Sequence, residues 1–443
     1  MRLASDVVRL VVLWVVVTTC ATLSAQNSDQ RSVAAKPAAT YSVEPITTGS
    51  HHHTFGYIGH VGTVPWNQSG HYVLALRFKS DDHMPGLNEP AEILLLDARQ
   101  GYRPTKVAET RGWNLQQGAM MYWNPLHPDS QFFFNDRDAK TGEMFTVLCD
   151  ISDVLAGKAG DPESTQIGTR VREYRFPGTS IANSGMAQQG GSFLALNYGR
   201  LTRLRLVTGI AGLDDWSQSQ NAPKNDGVFQ VDVETGERKL LISYHDLKMA
   251  IGDTPDIDAY GLFINHTLWS PDDDRFYFYL RANFRSELPK VDQPFTFVLD
   301  GKRLTKQPYV GGHPEWQDGK TLIGADGQNQ IRYDVESQKI VGAIGTSTTF
   351  PDPGGDIALS PDQTWLINGH KRKELKQIFF TLFRESDSTT IKTDGFPTGD
   401  WLSGALRIDP AAAWNRNSDQ VLFGAYDPTT KTRQLFVLTI KNP

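Results

Sequence analysis

The chain has 443 residues, a net charge of -6 and 39% hydrophobic residues. This is an ordinary soluble composition with enough apolar material for one large core or two medium ones. Mild acidity without a basic cluster argues against a nucleic-acid-binding protein, which would carry a basic face. The 10 Trp, 14 Tyr and 22 Phe are residue types that both β-strands and sugar-binding clefts use.

The first 25 residues have the features of an export signal. Arg2 and Arg9 precede an apolar run from Leu10 to Val17, and small residues lead to a cleavage position after Ala25. The run is too short to span a membrane. Residues 26–39, QNSDQRSVAAKPAA, are polar and low in complexity, which predicts a disordered tether. We therefore expect a periplasmic or secreted monomer with one folded domain over residues 40–443.

Cysteine usage is consistent with a fold held by its core. Cys20 is an alternative lipid-attachment site, although Thr19 before it departs from the usual signal. If the leader is removed, Cys149 is the single remaining cysteine, so no disulfide can form within one chain.

One unit recurs along the chain: an aromatic or apolar residue, a tight turn and an alternating strand. Its seven copies are VPWNQSGHYVLALRF (64–78), MYWNPLHPDSQFFFND (121–136), MAQQGGSFLALNY (186–198), LWSPDDDRFYFYLR (268–281), EWQDGKTLIGAD (315–326), ALSPDQTWLING (358–369) and AWNRNSDQVLFGAY (413–426). Each is followed by a second strand-like run. The pattern predicts an all-β fold, a seven-bladed β-propeller of four-stranded blades. The last blade lacks an outer strand, which ATYSVEPIT (39–47) can supply to close the ring.

Three consecutive copies carry a reactive side chain at the same position. His266 lies in INHTLWSPDDDRFYFYLR (264–281), His313 in GGHPEWQDGKTLIGAD (311–326) and Asp356 in GGDIALSPDQTWLINGH (354–370). The Ser-Pro-Asp and Asp-Gly turns that follow join an innermost strand to the second strand of a blade. The three side chains are therefore predicted to face one space in the central funnel.

These stretches resemble the oligogalacturonate lyase family, seven-bladed propellers that cleave uronic-acid chains by β-elimination. The base histidine of the family precedes a Ser-Pro turn, as His266 does in NHTLWSPD. Its metal-ligand histidine lies in a Gly-His-Glu-Phe-Trp stretch, similar to His313 in GHPEWQDGKTLI. The family completes its metal site with further His and Gln residues, where this chain has TSTTFPDPGGDIALSPD with Asp352 and Asp356. Ulvan lyases, in the wider group, use His, Tyr and Arg without a catalytic metal.

The resemblance implies a chemistry for these residues. His266 is the candidate base, since neutral imidazole accepts a proton near neutral pH. His313 and Asp356 are candidate ligands of a divalent cation such as Mn or Ca. Arg281 is positioned to clamp a carboxylate. As alternatives, His266 only hydrogen-bonds across the funnel, and Asp356 is a turn or blade-to-blade acceptor.

A second cluster leads into the first inner strand. GSHHHTFGYIGHVGTVPW (49–66) contains four histidines, and related propellers have a similar HxxFGY segment, so we assign it to the site. Tyr57 and His60 are predicted to assist catalysis and His53 to bind substrate. The remaining substrate-binding candidates end strands at a predicted funnel mouth and are Asn135, Tyr198 and Arg200. For Arg200, a solvated surface position is the alternative.

Two functions follow from the sequence. The first is an exported polysaccharide lyase acting on an acidic polysaccharide or oligosaccharide. The second is a non-catalytic propeller that binds a glycan or a protein in the cell envelope. The histidine pair in strict register favours the lyase, because binding propellers do not need it. A hydrolase is a third option, but no paired carboxylates at matched positions indicate one.

Overall fold

The computed structural model describes residues 39–56, 63–79, 82–157, 168–284 and 287–441. The predicted signal peptide and nearly all of the tether therefore lie outside the described residues. Within the described ranges the chain is an all-β propeller with three short helices: α1 (Ser152–Leu155), α2 (Tyr198–Leu204) and α3 (Tyr244–Ile251). No helix in this part of the chain is long and apolar enough to cross a membrane.

From residue 40 to residue 306 the chain forms a first strand, β1, and then four antiparallel sheets of four strands each. After β1 (Thr40–Pro45), the first sheet contains β2 (His52–Thr54), β3 (Tyr72–Phe78), β4 (Ala91–Asp97) and β5 (Arg103–Thr110). The second contains β6 (Tyr122–Trp123), β7 (Gln131–Arg137), β8 (Met144–Asp150) and β9 (Thr169–Tyr174). The third contains β10 (Ile181–Met186), β11 (Ser192–Asn197), β12 (Gly227–Asp232) and β13 (Arg238–Ser243). The fourth contains β14 (Phe263–Trp269), β15 (Arg275–Ala282), β16 (Val291–Val298) and β17 (Arg303–Lys306).

The next two repeats share one nine-stranded sheet. Its strands are β18 (Gly311–Trp316), β19 (Thr321–Ala325), β20 (Gln330–Asp334), β21 (Lys339–Ile344), β22 (Asp356–Leu359), β23 (Trp365–Arg372), β24 (Gln377–Arg384), β25 (Thr389–Lys392) and β26 (Phe396–Pro397). The innermost strands β18 and β22 pair in parallel, with His313 opposite Asp356.

The last sheet joins the two ends of the described chain. It contains β27 (Ala412–Trp414), β28 (Gln420–Asp427), β29 (Thr432–Lys441) and, at its outer edge, β1. β1 and β29 are antiparallel over six residue pairs, from Thr40 with Lys441 to Pro45 with Phe436. The N-terminal strand thus covers an edge of β29 that would otherwise expose unpaired backbone groups.

The prediction of seven separate four-stranded blades is wrong. The described residues form five four-stranded sheets and one nine-stranded sheet. Gly312 lies close to the neighbouring repeat, since a Cβ there would be 3.2 Å from the carbonyl oxygen of Gly355 and 3.4 Å from Cδ1 of Ile357. The absence of a side chain at Gly312 favours this close approach of β18 and β22, and the His313–Asp356 side-chain contact lies at the same junction.

The recurring tryptophans connect neighbouring sheets. In four repeats the indole N–H donates to a backbone carbonyl of a preceding repeat: Trp123 to Pro65 at 2.8 Å, Trp269 to Gly185 at 3.1 Å, Trp316 to Leu268 at 3.0 Å, and Trp414 to Ala358 at 3.0 Å. A buried indole N–H needs such a partner. The tryptophan that recurs in the sequence therefore makes a recurring hydrogen bond between neighbouring sheets.

Candidate functional site

His266 is held by an irregular stretch of an innermost strand. The pairing of β14 with β15 shifts register between Asn265 and Leu268, and His266 has a positive φ of 56°. The side-chain oxygen of Asn265 accepts the backbone N–H of His266 at 2.9 Å. A non-glycine residue in this conformation is uncommon, and such strain concentrates at functional sites. The bulge therefore changes the direction in which the His266 side chain leaves the strand.

The structure brings the three residues of the predicted register together. The rings of His266 and His313 are 5.2 Å apart between centroids. Nδ1 of His313 contacts Oδ1 of Asp356 as a hydrogen-bonded ion pair. The His313 side chain is 35% exposed, whereas that of Asp356 is 6% exposed. A buried carboxylate thus orients an imidazole that reaches solvent.

Opposing effects set the charge of His313. Burial lowers its pKa, but the charge of Asp356 and the hydrogen bond to it raise the pKa, and the more distant charge of Asp409 acts in the same direction. Arg281 lowers it. The net result is a raised pKa, so the protonated imidazolium is more populated near neutral pH than for an ordinary histidine.

Arg281 lies beside the histidines and is already engaged. Its Nε donates to Asp292 at 2.7 Å, and its guanidinium lies 4.4 Å from the ring centre of Tyr279. The ring of Tyr279 meets that of His266 edge to face at 5.8 Å. Arg281 is thus in the neighbourhood that the sequence predicted, with one nitrogen committed to a carboxylate.

His53 lies on β2 in a separate polar cluster. It is buried, its Nδ1 is 2.9 Å from Oε1 of Gln434, and it lines a small cavity of about 50 Å³ together with Asp409 and Arg407. Asp409 accepts hydrogen bonds from Lys371 and Arg407, both at 2.8 Å. This cluster is linked to the histidine pair through the effect of Asp409 on His313.

Three other predicted residues are internal. Asn135 donates to the carbonyl of Asn183 at 2.8 Å, and the hydroxyl of Tyr198 donates to the same carbonyl at 2.8 Å. Arg200 is 0% exposed and donates to Ser217 at 3.1 Å and to several backbone carbonyls. These side chains hold β-strands and α2 in place and are not part of the histidine cluster. Tyr57 and His60 lie outside the described residues.

In the part of the chain that the structure describes, the donor set at this site does not fit a metal centre. The described residues contain no group of three or more His, Cys, Asp or Glu side chains arranged to hold a metal ion. Asp356 contacts His313 directly rather than facing it across a gap. A two-residue set is short of the coordination that Mn or Ca requires. We therefore derive no step through a metal ion.

Sequence reasoning missed the residues that surround the histidines. Tyr279 could have been found from the alternation of β15, where it lies two residues before Arg281 on the same face. Lys371 and Asp409 give no such signal, because they come from two distant segments that only the tertiary fold joins.

No protein-family model matches the chain, and no curated protein matches it in sequence. Among solved structures, an oligogalacturonate lyase from Vibrio parahaemolyticus superposes with a TM-score of 0.57, covering 91% of this chain and 97% of that one at 13% identity. An oligogalacturonate lyase in complex with manganese superposes with the same TM-score, covering 92% and 98% at 15% identity. The chain shares the fold of these lyases. At such low identity the likeness concerns the fold alone.

Proposed function

We propose that this protein is a polysaccharide lyase that cleaves uronate-containing glycans by β-elimination, and that it is exported. The observation that carries the proposal is the convergence of His266, His313 and Asp356 on innermost strands of a fold shared with oligogalacturonate lyases. The proposal that the protein is exported rests on the N-terminal sequence pattern.

The reaction assigns one task to each histidine. Neutral His266 accepts the proton from the carbon beside the uronate carboxylate, and the electrons of that C–H bond form a C=C bond. The bond from the neighbouring carbon to the glycosidic oxygen then breaks, and the departing oxygen takes a proton from solvent. Nε2 of His313, with Asp356 behind Nδ1, donates to the substrate carboxylate and stabilises the developing enolate.

The test is an absorbance assay at about 235 nm against a panel of uronate polysaccharides, since elimination creates an absorbing double bond and hydrolysis does not. His266→Ala should reduce turnover by roughly 10²–10⁴-fold, the usual contribution of general-base catalysis. The control is His71→Ala, which removes an exposed histidine immediately before β3. Parallel assays with EDTA report whether any metal contributes.

Two outcomes would oppose the proposal. Full activity in His266→Ala would mean that another group is the base. If the folded protein gave no absorbing product on any uronate polymer, the non-catalytic propeller that binds a glycan or protein would be the better account.

Asp356→Asn tests the second histidine separately. The substitution removes the charge that holds up the pKa of His313, so turnover should fall while folding is kept. Asp352→Asn is the matched control, because Asp352 is exposed on the segment just before β22. Equal activity in the two variants would show that the His313–Asp356 pair has no catalytic task.

A further inference from the structure

A second cavity of about 470 Å³ lies at the carboxyl ends of the innermost strands. It is lined by the strand-end residues Trp123, Met186, Leu359 and Trp414. Asp356, which belongs to the proposed reaction site, lies three residues before Leu359 on β22, so the cavity is displaced along that strand from the reaction site. Its volume is within the range of about 300–1,000 Å³ typical of small-molecule sites. We call it the strand-end cavity.

Glu315 brings an unsatisfied polar atom to this cavity. The residue is 1% exposed, and it lines the strand-end cavity. Its Oε2 accepts the backbone N–H of Leu359 at 3.2 Å. Its Oε1 is buried and has no hydrogen-bond partner among the described residues. Buried polar atoms are nearly always satisfied, so an exception of this kind requires an explanation. A ligand hydroxyl that enters the cavity would supply the missing partner.

Arg416 provides a cationic group at the same cavity. Its Nε donates to the carbonyl of Asn67 at 3.0 Å, which fixes the guanidinium at one edge. Asp129 is the acidic residue whose charge acts on it, and that carboxylate accepts hydrogen bonds from Asn67 and Ser69. A guanidinium held by one nitrogen can present its other two nitrogens as a fork to a carboxylate.

Apolar side chains form part of the wall between these two groups. The indole N–H groups of Trp123 and Trp414 are already bonded to backbone carbonyls, so these side chains offer carbon surface to a ligand. Met121 and Met186 complete the wall with adaptable thioether side chains. Such surface packs against the C–H face of a sugar ring and does not compete for its hydroxyl groups.

We propose that the strand-end cavity binds a monosaccharide acid, a single hydroxylated ring that carries one carboxylate. The carboxylate pairs with Arg416, a ring hydroxyl bonds to Glu315, and the ring packs on the tryptophan and methionine wall. This site holds or fails independently of the lyase proposal, because it involves neither His266 nor His313.

Calorimetric titration with glucuronate and galacturonate tests the site, with glucose and galactose as neutral controls of the same size. The acids should bind at least about tenfold more tightly than the neutral sugars, because one charge-assisted contact is lost in the latter. Arg416→Gln should remove this preference. Glu315→Leu should weaken binding by a similar factor, whereas Glu315→Gln, which keeps a polar group facing the cavity, should retain it.

Two controls separate this site from the histidine cluster and from folding. Binding should persist in His313→Ala, and each variant should first show a thermal unfolding transition close to that of the parent protein. The proposal is overturned if acids and neutral sugars bind equally, if none binds at millimolar concentration, or if binding is lost in His313→Ala but kept in Arg416→Gln. Absence of lyase activity would leave the binding result unaffected.

Discussion

Among the described non-glycine residues with a positive φ, His266 is the one that lies inside a β-strand. Its φ of 56° places an L-residue in the left-handed region, which costs about 1–2 kcal/mol. The bulge in β14 makes this conformation part of the strand. Strain at the predicted base is consistent with a side chain placed for chemistry at the expense of stability.

Two substitutions at this position should separate strain from side-chain loss. Both His266→Gly and His266→Ala remove the imidazole, but glycine adopts a positive φ without strain. We expect the glycine variant to be the more stable by about 1 kcal/mol, after allowing for its larger unfolded-state entropy. Thermal or urea unfolding measures the difference. Thr267, which has no positive φ, is the control position. There the alanine variant should be more stable than the glycine variant. If the two variants had the same order of stability at both positions, the strain argument would be contradicted.

His53 should make the protein sensitive to mild acid. Burial lowers its pKa from 6.5 to about 4, although the hydrogen bond with Gln434 opposes the shift. Because the folded-state pKa lies below the unfolded value, the unfolded chain binds more protons as the pH falls through this window. The contribution of His53 to the free energy of unfolding is therefore fully present above about pH 6.5. It is lost as the pH falls towards 4, and the loss is on the order of 3 kcal/mol.

Replacement of His53 by asparagine tests this assignment, because the amide nitrogen can still donate to Gln434. The difference in unfolding free energy between the parent and His53→Asn should shift in favour of the variant as the pH falls from 7 to 4. His245→Asn, at a partly exposed histidine in α3, serves as the control. A pH-independent difference for His53→Asn would rule out His53 as the source.

The candidate site was predictable only where local sequence determines position. The shared register of His266, His313 and Asp356 follows from strand periodicity and turn chemistry, and the structure brings these residues together. Arg200 follows the same kind of strand-end pattern but is buried and bonded to distant backbone carbonyls. Whether a polar residue faces solvent or an internal acceptor depends on tertiary contacts that no local pattern encodes.

At the scale of elements, the innermost strands and their turns were readable from sequence, but the arrangement of the sheets was not. Alternating apolar runs and Ser-Pro-Asp turns define a strand and a reversal locally. The fusion of two repeats brings Gly312 against the backbone carbonyl of Gly355, although the two residues are 43 positions apart in sequence. Single glycines in a strand indicate a close approach without naming the partner.

The indole contacts between sheets give a matched pair of tests. Trp316→Phe removes the donor to the Leu268 carbonyl, and the loss of this hydrogen bond should cost about 0.5–1.5 kcal/mol beyond the lost packing. Trp216→Phe should lack this cost, since the buried indole N–H of Trp216 has no hydrogen-bond partner among the residues that the structure describes. Chemical unfolding of both variants gives the comparison. Similar losses would mean that packing, and not the hydrogen bond, accounts for the repeated tryptophan.

At the scale of the whole molecule, the first and last segments of the folded part depend on each other. β29 pairs with β1 along one edge, and it also contacts the first sheet, where the backbone N–H of Arg433 donates to His52 at 3.2 Å. The amide of Gln434 donates to the carbonyl of His51 at 2.9 Å. The last strand is therefore attached to two successive segments near the start of the folded part, β1 and residues 51–52. These contacts close the ring between residues that are far apart in sequence.

Removal of β1 should therefore destabilise the molecule well beyond the loss of six residues. Two proteins are compared, one that starts at residue 39 and one that starts at Ile46, so that they differ by β1 and one flanking residue. Deletion exposes the edge of β29 and breaks the hydrogen bond from Tyr41 to Asp394. The shorter protein should unfold at a lower temperature and associate through the open edge, because an unpaired strand edge is a template for other chains. Scanning calorimetry and light scattering measure the two effects. If the shorter protein unfolds at the same temperature and stays monomeric, the ring does not depend on β1, and the contacts of β29 with the first sheet alone hold it closed.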